Sequence, residues 1–181
     1  HFKALFAIYK LLGLPFADNC YHLPYGMIYL PEGKMKSREG KVVDADNLAD
    51  EMHQSAKEEI MKRSPEISKE DAEARAEAIG MGAIKFYILK YDPLKDFVFN
   101  LQESISFEGE TGPYLQYTYA RISSIIRKFK NNIDDADLTL LSLDEEYRIV
   151  CLLERFPEIV EKAALSYKPS VICRYLLDLS Q

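Results

Sequence analysis

Apolar positions recur at helical spacing over most of the chain. Phe2, Leu5, Phe6, Tyr9 and Leu12 form a first amphipathic stripe, which Gly13 closes. Tyr21 to Leu30 reads as a strand, with Pro24 marking an edge or an irregular start. Asp44 or Asp46 is placed to cap a helix running to about Arg63, and Ser64-Pro65 ends it. Ser68-Lys69-Glu70-Asp71 has the form of a capping box and opens a second long helix. The core face of that helix is Ala72, Ala76, Ile79, Ala83 and Phe86, and Asp92-Pro93 ends it. Gly80 and Gly82 inside it cost about 1 kcal/mol each relative to alanine, which predicts close packing against another element. Residues 94–111 read as an irregular connection containing the apolar stretch Phe97-Val98-Phe99, with a domain boundary near Gly109 and Gly112.

Beyond that boundary the pattern is wholly helical. Pro113 suits the first turn of a third long helix, whose core-facing spacing is Leu115, Tyr119, Ile122, Ile126 and Phe129. Ser142-Leu143-Asp144-Glu145 is the capping box of a fourth helix, which Pro157 kinks or splits after Phe156. Pro169 opens the last, with Val171, Ile172, Tyr175, Leu176 and Leu179 as its stripe. The first stripe has no cap before it and the last has no stop after it, so the chain reads as an excised piece of a longer protein.

Composition narrows the possibilities. The 181 residues are 48% apolar, enough for a real core. No apolar run approaches the ~18 residues of a membrane span. The three cysteines, Cys20, Cys151 and Cys173, have no metal-ligand spacing, as in a reduced cytoplasmic protein. The net charge of −6 is unevenly spread: residues 1–43 carry six basic and three acidic side chains, residues 44–111 eight and 16, and residues 112–181 nine and ten. Basic faces can therefore exist at either end of an acidic middle, and local fields, not net charge, steer a ligand.

Two stretches carry chemistry. In Glu32-Gly33-Lys34-Met35-Lys36-Ser37-Arg38-Glu39-Gly40-Lys41-Val42-Val43, four basic residues fall within eight positions, and Gly33 and Gly40 bracket the charged core. Taken alone this is either a solvated hairpin or a basic loop that closes on a polyphosphate, with lysine and arginine as donors to phosphate oxygens. In the second stretch, Phe107 to Ile122, a helix places Tyr114, Tyr117, Arg121, Ser124 and Lys128 on a face distinct from the apolar stripe. Aromatic planes beside cations suit an RNA backbone or splayed bases; packing of the tyrosines between domains is the other reading. His1, His22 and His53 form no cluster and read as structural or exposed.

Lys34-Met35-Lys36-Ser37-Arg38 resembles the K-M-S-K-S loop of class I aminoacyl-tRNA synthetases, and Gly40-Lys41-Val42-Val43 continues it as in the arginyl branch. Gly109-Glu110-Thr111-Gly112-Pro113-Tyr114-Leu115-Gln116-Tyr117, with Ala120-Arg121, is similar to the opening of the helical anticodon-binding domain of arginyl-tRNA synthetases. Leu152 to Pro157, Lys168-Pro169 and Tyr175 to Leu179 continue to resemble that domain. His1-Phe2, Leu12-Gly13, His22-Leu23 and Gly26-Met27 resemble the end of the family's nucleotide-binding domain.

The resemblance implies a mainly α fold: residues 1–110 the tail of a class I Rossmann-type catalytic domain, with a short strand pair around the basic loop, and residues 111–181 the first part of a helical anticodon-binding bundle. It implies ATP, with Mg2+ on the ATP and no protein-bound metal, together with arginine and tRNA(Arg) as substrates, and no membrane. Lys34 is then the catalytic contact to the leaving pyrophosphate, in a loop of Lys34, Met35, Lys36, Ser37, Arg38 and Lys41. Tyr114, Tyr117, Arg121 and Lys128 are then the tRNA-binding residues. Lys36 and Ser37 depart from the pattern at its third and fourth positions, leaving Lys36, Arg38 and Lys41 as candidates for the second cation. The family's H-x-G-H motif does not occur in these residues, so the chain by itself is expected to be inactive. Two rival classes are a tRNA-binding module without catalysis and a class I synthetase for another amino acid.

Overall fold

Side-chain caps start the long helices where the sequence puts them. In the computed structural model, which describes residues 1–29, 31, 44–129 and 137–181, helix α1 spans Phe2–Leu11 and Gly13 leaves it in a left-handed conformation, φ 66°. A short strand, β1, is Ile28–Tyr29. Asp44 accepts the Asp46 N–H at 2.9 Å and opens α2, Ala45–Arg63. Ser68 accepts the Asp71 N–H at 3.1 Å and opens α3, Lys69–Leu89.

Helices α2 and α3 form an antiparallel hairpin around Met52, Ala56 and Ile60 on one side and Ala72, Ala76 and Ala83 on the other. Alanines along the seam let the axes approach. At Gly80 a Cβ would lie only 3.0 Å from the His53 backbone nitrogen and 3.1 Å from the Met52 carbonyl. That is the close packing its place in a helix predicts.

Strand β2, Phe97–Val98, pairs parallel to β1, Ile28 opposite Phe97 and Tyr29 opposite Val98. The strand pair expected around the basic loop is thus made with a partner far along the chain. Residues 21–27, expected as strand, have no regular structure. Pro24 offers no N–H, and Gly26 lies so close to residue 95 that a Cβ would overlap the Lys95 carbonyl. The Asp96 carboxylate ties the segment down, accepting from the Met27 N–H at 2.7 Å and the Tyr29 hydroxyl at 3.2 Å.

A single turn, α4, Leu101–Ser104, leads to α5, Gly112–Lys128. Thr111 caps α5 by accepting the Tyr114 N–H at 3.2 Å, and its own hydroxyl donates to the Ser106 carbonyl at 2.6 Å. The chain then forms α6, Asp144–Glu154, α7, Phe156–Ser166, and α8, Ser170–Ser180. The α6–α7 break falls at Arg155, with Pro157 in the first turn of α7. The capping box expected over Ser142–Glu145 is displaced by one: Leu143 is the N-cap of α6 and has no side-chain oxygen to accept, and the cap comes from Glu146, which accepts the backbone N–H groups of Ser142 and Leu143 at 2.9 and 3.0 Å.

Helix α8 lies over the start of α5 and the end of α3, joining Cys173 and Leu177 to Phe86, with Tyr114 and Leu115 packed against them. The apolar stripe of α5 departs from expectation beyond Leu115. Tyr119, Ile122, Ile126 and Phe129 are 51–74% exposed, whereas Gly112, Tyr114, Leu115 and Gln116 in the first turns of α5 meet α3 and α8.

Candidate functional site

Of the sequence-predicted site, Lys34, Met35, Lys36, Ser37, Arg38 and Lys41 lie outside the described residues. The structure does describe the two approaches to them: β1, pinned through Tyr29 and Met27 to Asp96, and the Asp44 cap of α2.

The α5 face is described in full, and the structure divides it. Tyr117, Arg121 and Lys128 are exposed. The Arg121 guanidinium sits 5.6 Å from the centroid of the Tyr117 ring, with Nη1 3.5 Å from its hydroxyl, an aromatic plane and a cation one turn apart. Arg127 and Lys128 occupy the last turn, where cations also complement the helix dipole. Tyr114 points the other way. Its hydroxyl donates to the Ser180 carbonyl of α8 at 2.8 Å, and its ring packs against the Phe86–Cys173–Leu177 cluster.

Gln116, which the sequence does not single out, crosses to α3. Its Nε2 donates to the Ala78 carbonyl at 2.9 Å, and Gly82 leaves the space its amide occupies. Glu110 is a second unanticipated joint: its carbonyl accepts from Lys90 Nζ at 3.0 Å and its carboxylate from Arg174 Nη1 at 2.8 Å. Lys90 also stands over the Tyr87 ring, 4.3 Å from its centroid. Burial, foremost, and the neighbouring Tyr91 and Glu103 push the Tyr87 hydroxyl well above the usual tyrosine range. Long-range partners of this kind leave no spacing signal in a sequence.

The histidines divide as well. The His22 ring stacks on Phe2 with centroids 3.9 Å apart. His53 lies between two carboxylates of α3, Nε2 2.9 Å from Glu73 and Nδ1 3.1 Å from Glu77, and Lys57 also pairs with Glu73. Lys57, foremost, holds the Glu73 carboxyl below its ordinary range. Among the described residues no group of three or more His, Cys, Asp or Glu is placed to hold a metal ion, and no helix is long and apolar enough to cross a membrane.

Residues 1–101 match the family profile of tRNA synthetases class I (R), catalytic domain, and residues 115–181 match the DALR anticodon binding domain. That succession is the organisation of a class I aminoacyl-tRNA synthetase. The chain is 48% identical to the arginine–tRNA ligase of Treponema denticola and 45% identical to that of Treponema pallidum, in each case over 100% of this chain and 32% of the relative. Its structure resembles the arginyl-tRNA synthetase of Thermus thermophilus with a TM-score of 0.84 and 34% identity, over 97% of this chain and 29% of that one. The corresponding enzyme of Plasmodium falciparum superposes with a TM-score of 0.68 at 25% identity, over 86% and 26%. The chain belongs to the arginyl-tRNA synthetase family. It spans about a third of the length of the curated relatives it matches.

Proposed function

We propose that the chain works as part of an arginine–tRNA ligase, which activates arginine with ATP and transfers it to tRNA(Arg). The observation that carries this reading is the succession, in one chain, of the class I (R) catalytic match and the anticodon-binding match. Residues 1–110 are the end of the catalytic domain and residues 111–181 the first part of the anticodon-binding domain. Attack of the arginine carboxylate on the α-phosphate forms the mixed anhydride and releases pyrophosphate. Fixed cations favour that step where negative charge builds on the leaving group. Lys34 is the residue assigned to this contact, with Lys36 and Arg38 assisting and Met35, Ser37 and Lys41 completing the loop. Mg2+ belongs to the ATP phosphates and calls for no ligand from the described residues.

On the helical side, Tyr117, Arg121 and Lys128 form the outward face offered to tRNA. Tyr114 contributes by seating that helix on α8. The three free cysteines fit the reducing cytoplasm. The test is ATP–pyrophosphate exchange and tRNA charging by the full-length enzyme containing this chain. Arginine-dependent exchange and arginyl-tRNA are expected, with neither from the 181 residues alone. Exchange driven by another amino acid, or by none, sinks the reading.

A further inference from the structure

Among the described residues the two halves of the chain meet in two regions. One is the end of α3, where α5 crosses so closely that a Cβ on Gly112 would lie 2.5 Å from the Gly82 carbonyl oxygen and where Cys173 and Leu177 of α8 pack on Phe86. The other is the turn between α7 and α8. There Tyr167 has φ 55° and ψ 37°, a left-handed conformation that a residue with a Cβ adopts at a cost. Among the described residues it is the one non-glycine with positive φ.

Tyr167 is the left-handed cap of α7, with the Lys168 N–H donating to the Ala163 carbonyl at 3.0 Å, and its side chain is held from the other half. Its ring stacks on Tyr21, centroids 4.3 Å apart and planes 17° apart. Lys168, next in the chain, places Nζ 2.6 Å from Asp92 Oδ2. Asp92 also accepts the Leu94 N–H at 3.0 Å, and the Pro93 carbonyl accepts the Gly26 N–H at 2.7 Å. The turn is thus joined to the segment that runs from Tyr21 through β1 toward the basic residues at 34–41. Lys168 is also the foremost reason the Asp92 carboxyl sits below its ordinary range.

Between the two contacts the halves stand apart. An apolar cleft of about 620 Å³ separates Ile28, Tyr91 and Phe97 on one wall from Val160, Ala163 and Ile172 on the other. With this cleft beside the packed α3 seam, the turn is a second, separate restraint on the angle between the halves.

We propose that the Tyr167–Lys168 turn is a positioning strut: through Tyr21 and Asp92 it sets the angle of the helical half against the catalytic half, and so sets where a tRNA held by the helical half presents its 3′ end. The strut rests on the synthetase reading above. Its residues touch no substrate. They act by placing one reactant against the other, and a displacement of about 1 Å is enough to slow a reaction strongly.

The test uses the full-length enzyme with Lys168→Met, Lys168→Arg, Tyr21→Leu and the pair Asp92→Asn with Lys168→Met. Steady-state charging of tRNA gives kcat and KM, and a melting curve accompanies each variant. Lys168→Met and Tyr21→Leu should lower kcat about five- to tenfold with KM for tRNA within about twofold. Lys168→Arg should restore most of the loss, and the double variant should be no worse than Lys168→Met alone. Unchanged kcat in both single variants, or an arginine no better than methionine at position 168, overturns the strut while leaving the synthetase reading in place. A wild-type enzyme that charges no tRNA overturns both.

Discussion

Gly82 and Gly112 bring α3 and α5 into backbone contact, the Gly82 carbonyl lying where a side chain on Gly112 would begin. Because the obstacle is backbone, Gly112→Ala should destabilise the protein by about 1–3 kcal/mol. Gly82→Ala meets only the end of the Gln116 side chain. It gains helix propensity of about 1 kcal/mol, so it should come out near neutral. Urea denaturation of the two variants checks the order, and equal losses would show that the contact is not set by backbone.

Tyr114 is expected to matter for stability and not for RNA affinity. Tyr114→Phe removes its bond to the Ser180 carbonyl, a loss of about 0.5–1.5 kcal/mol, and Tyr114→Ala should cost more. A fall in tRNA affinity without any change in melting temperature would contradict the seating of this ring.

For Arg121→Ala and Lys128→Ala the expectation is the reverse. Each should weaken tRNA binding and flatten its salt dependence by up to about one unit of slope for each phosphate it no longer neutralises. Melting temperatures should hardly move, since both side chains are exposed. Affinity measured at several salt concentrations decides this, and an unchanged slope in both variants removes the face from the RNA-binding surface.

Lys34→Ala in the full-length enzyme should slow arginine activation about ten- to hundredfold, the value of one charge-assisted hydrogen bond made mainly in the transition state. Binding of tRNA should change little. Equal losses in activation and tRNA affinity would assign the loop another role.

Acid should destabilise the fold through named carboxylates. The Leu143 N–H, foremost, and the Ser142 N–H hold Glu146 below its ordinary 4.5, and Lys168, foremost, holds Asp92 below 3.8. A carboxyl more acidic folded than unfolded contributes stability that is present above the unfolded value and lost as pH falls through the folded one. Glu146→Gln, which can still accept from the backbone but does not titrate there, should flatten the decline in urea midpoint between about pH 5 and 3. An unaltered decline would mean that the Glu146 cap contributes nothing to acid sensitivity.

Much of the architecture was legible because it is local. Asp44, Ser68 and Pro157 act within one helical turn of themselves, and each acts where its position indicated. The helical glycines were legible through their cost. Tertiary choice was not. Two-residue strands have no period to read, so nothing marked Phe97–Val98 as the partner of β1. The stripe on α5 records a face suited to burial without recording what buries it, which is why Ile122 and Phe129 read as core and stand exposed. At the candidate site the family motifs could be read directly, whereas the inward turn of Tyr114 depends on Ser180, which follows 66 positions later.

Gly80 and Gly82 lie two residues apart on α3, which is about 200° around a helix. One notch faces α2 and the other α5. The helix therefore serves two independent joints, each with its own adjusting point. Sequence change at one glycine can loosen or tighten the catalytic-side hairpin, and change at the other can do the same for the helical bundle, without retuning the neighbour. A chain built this way can let its two halves drift separately and still keep a single rod between them.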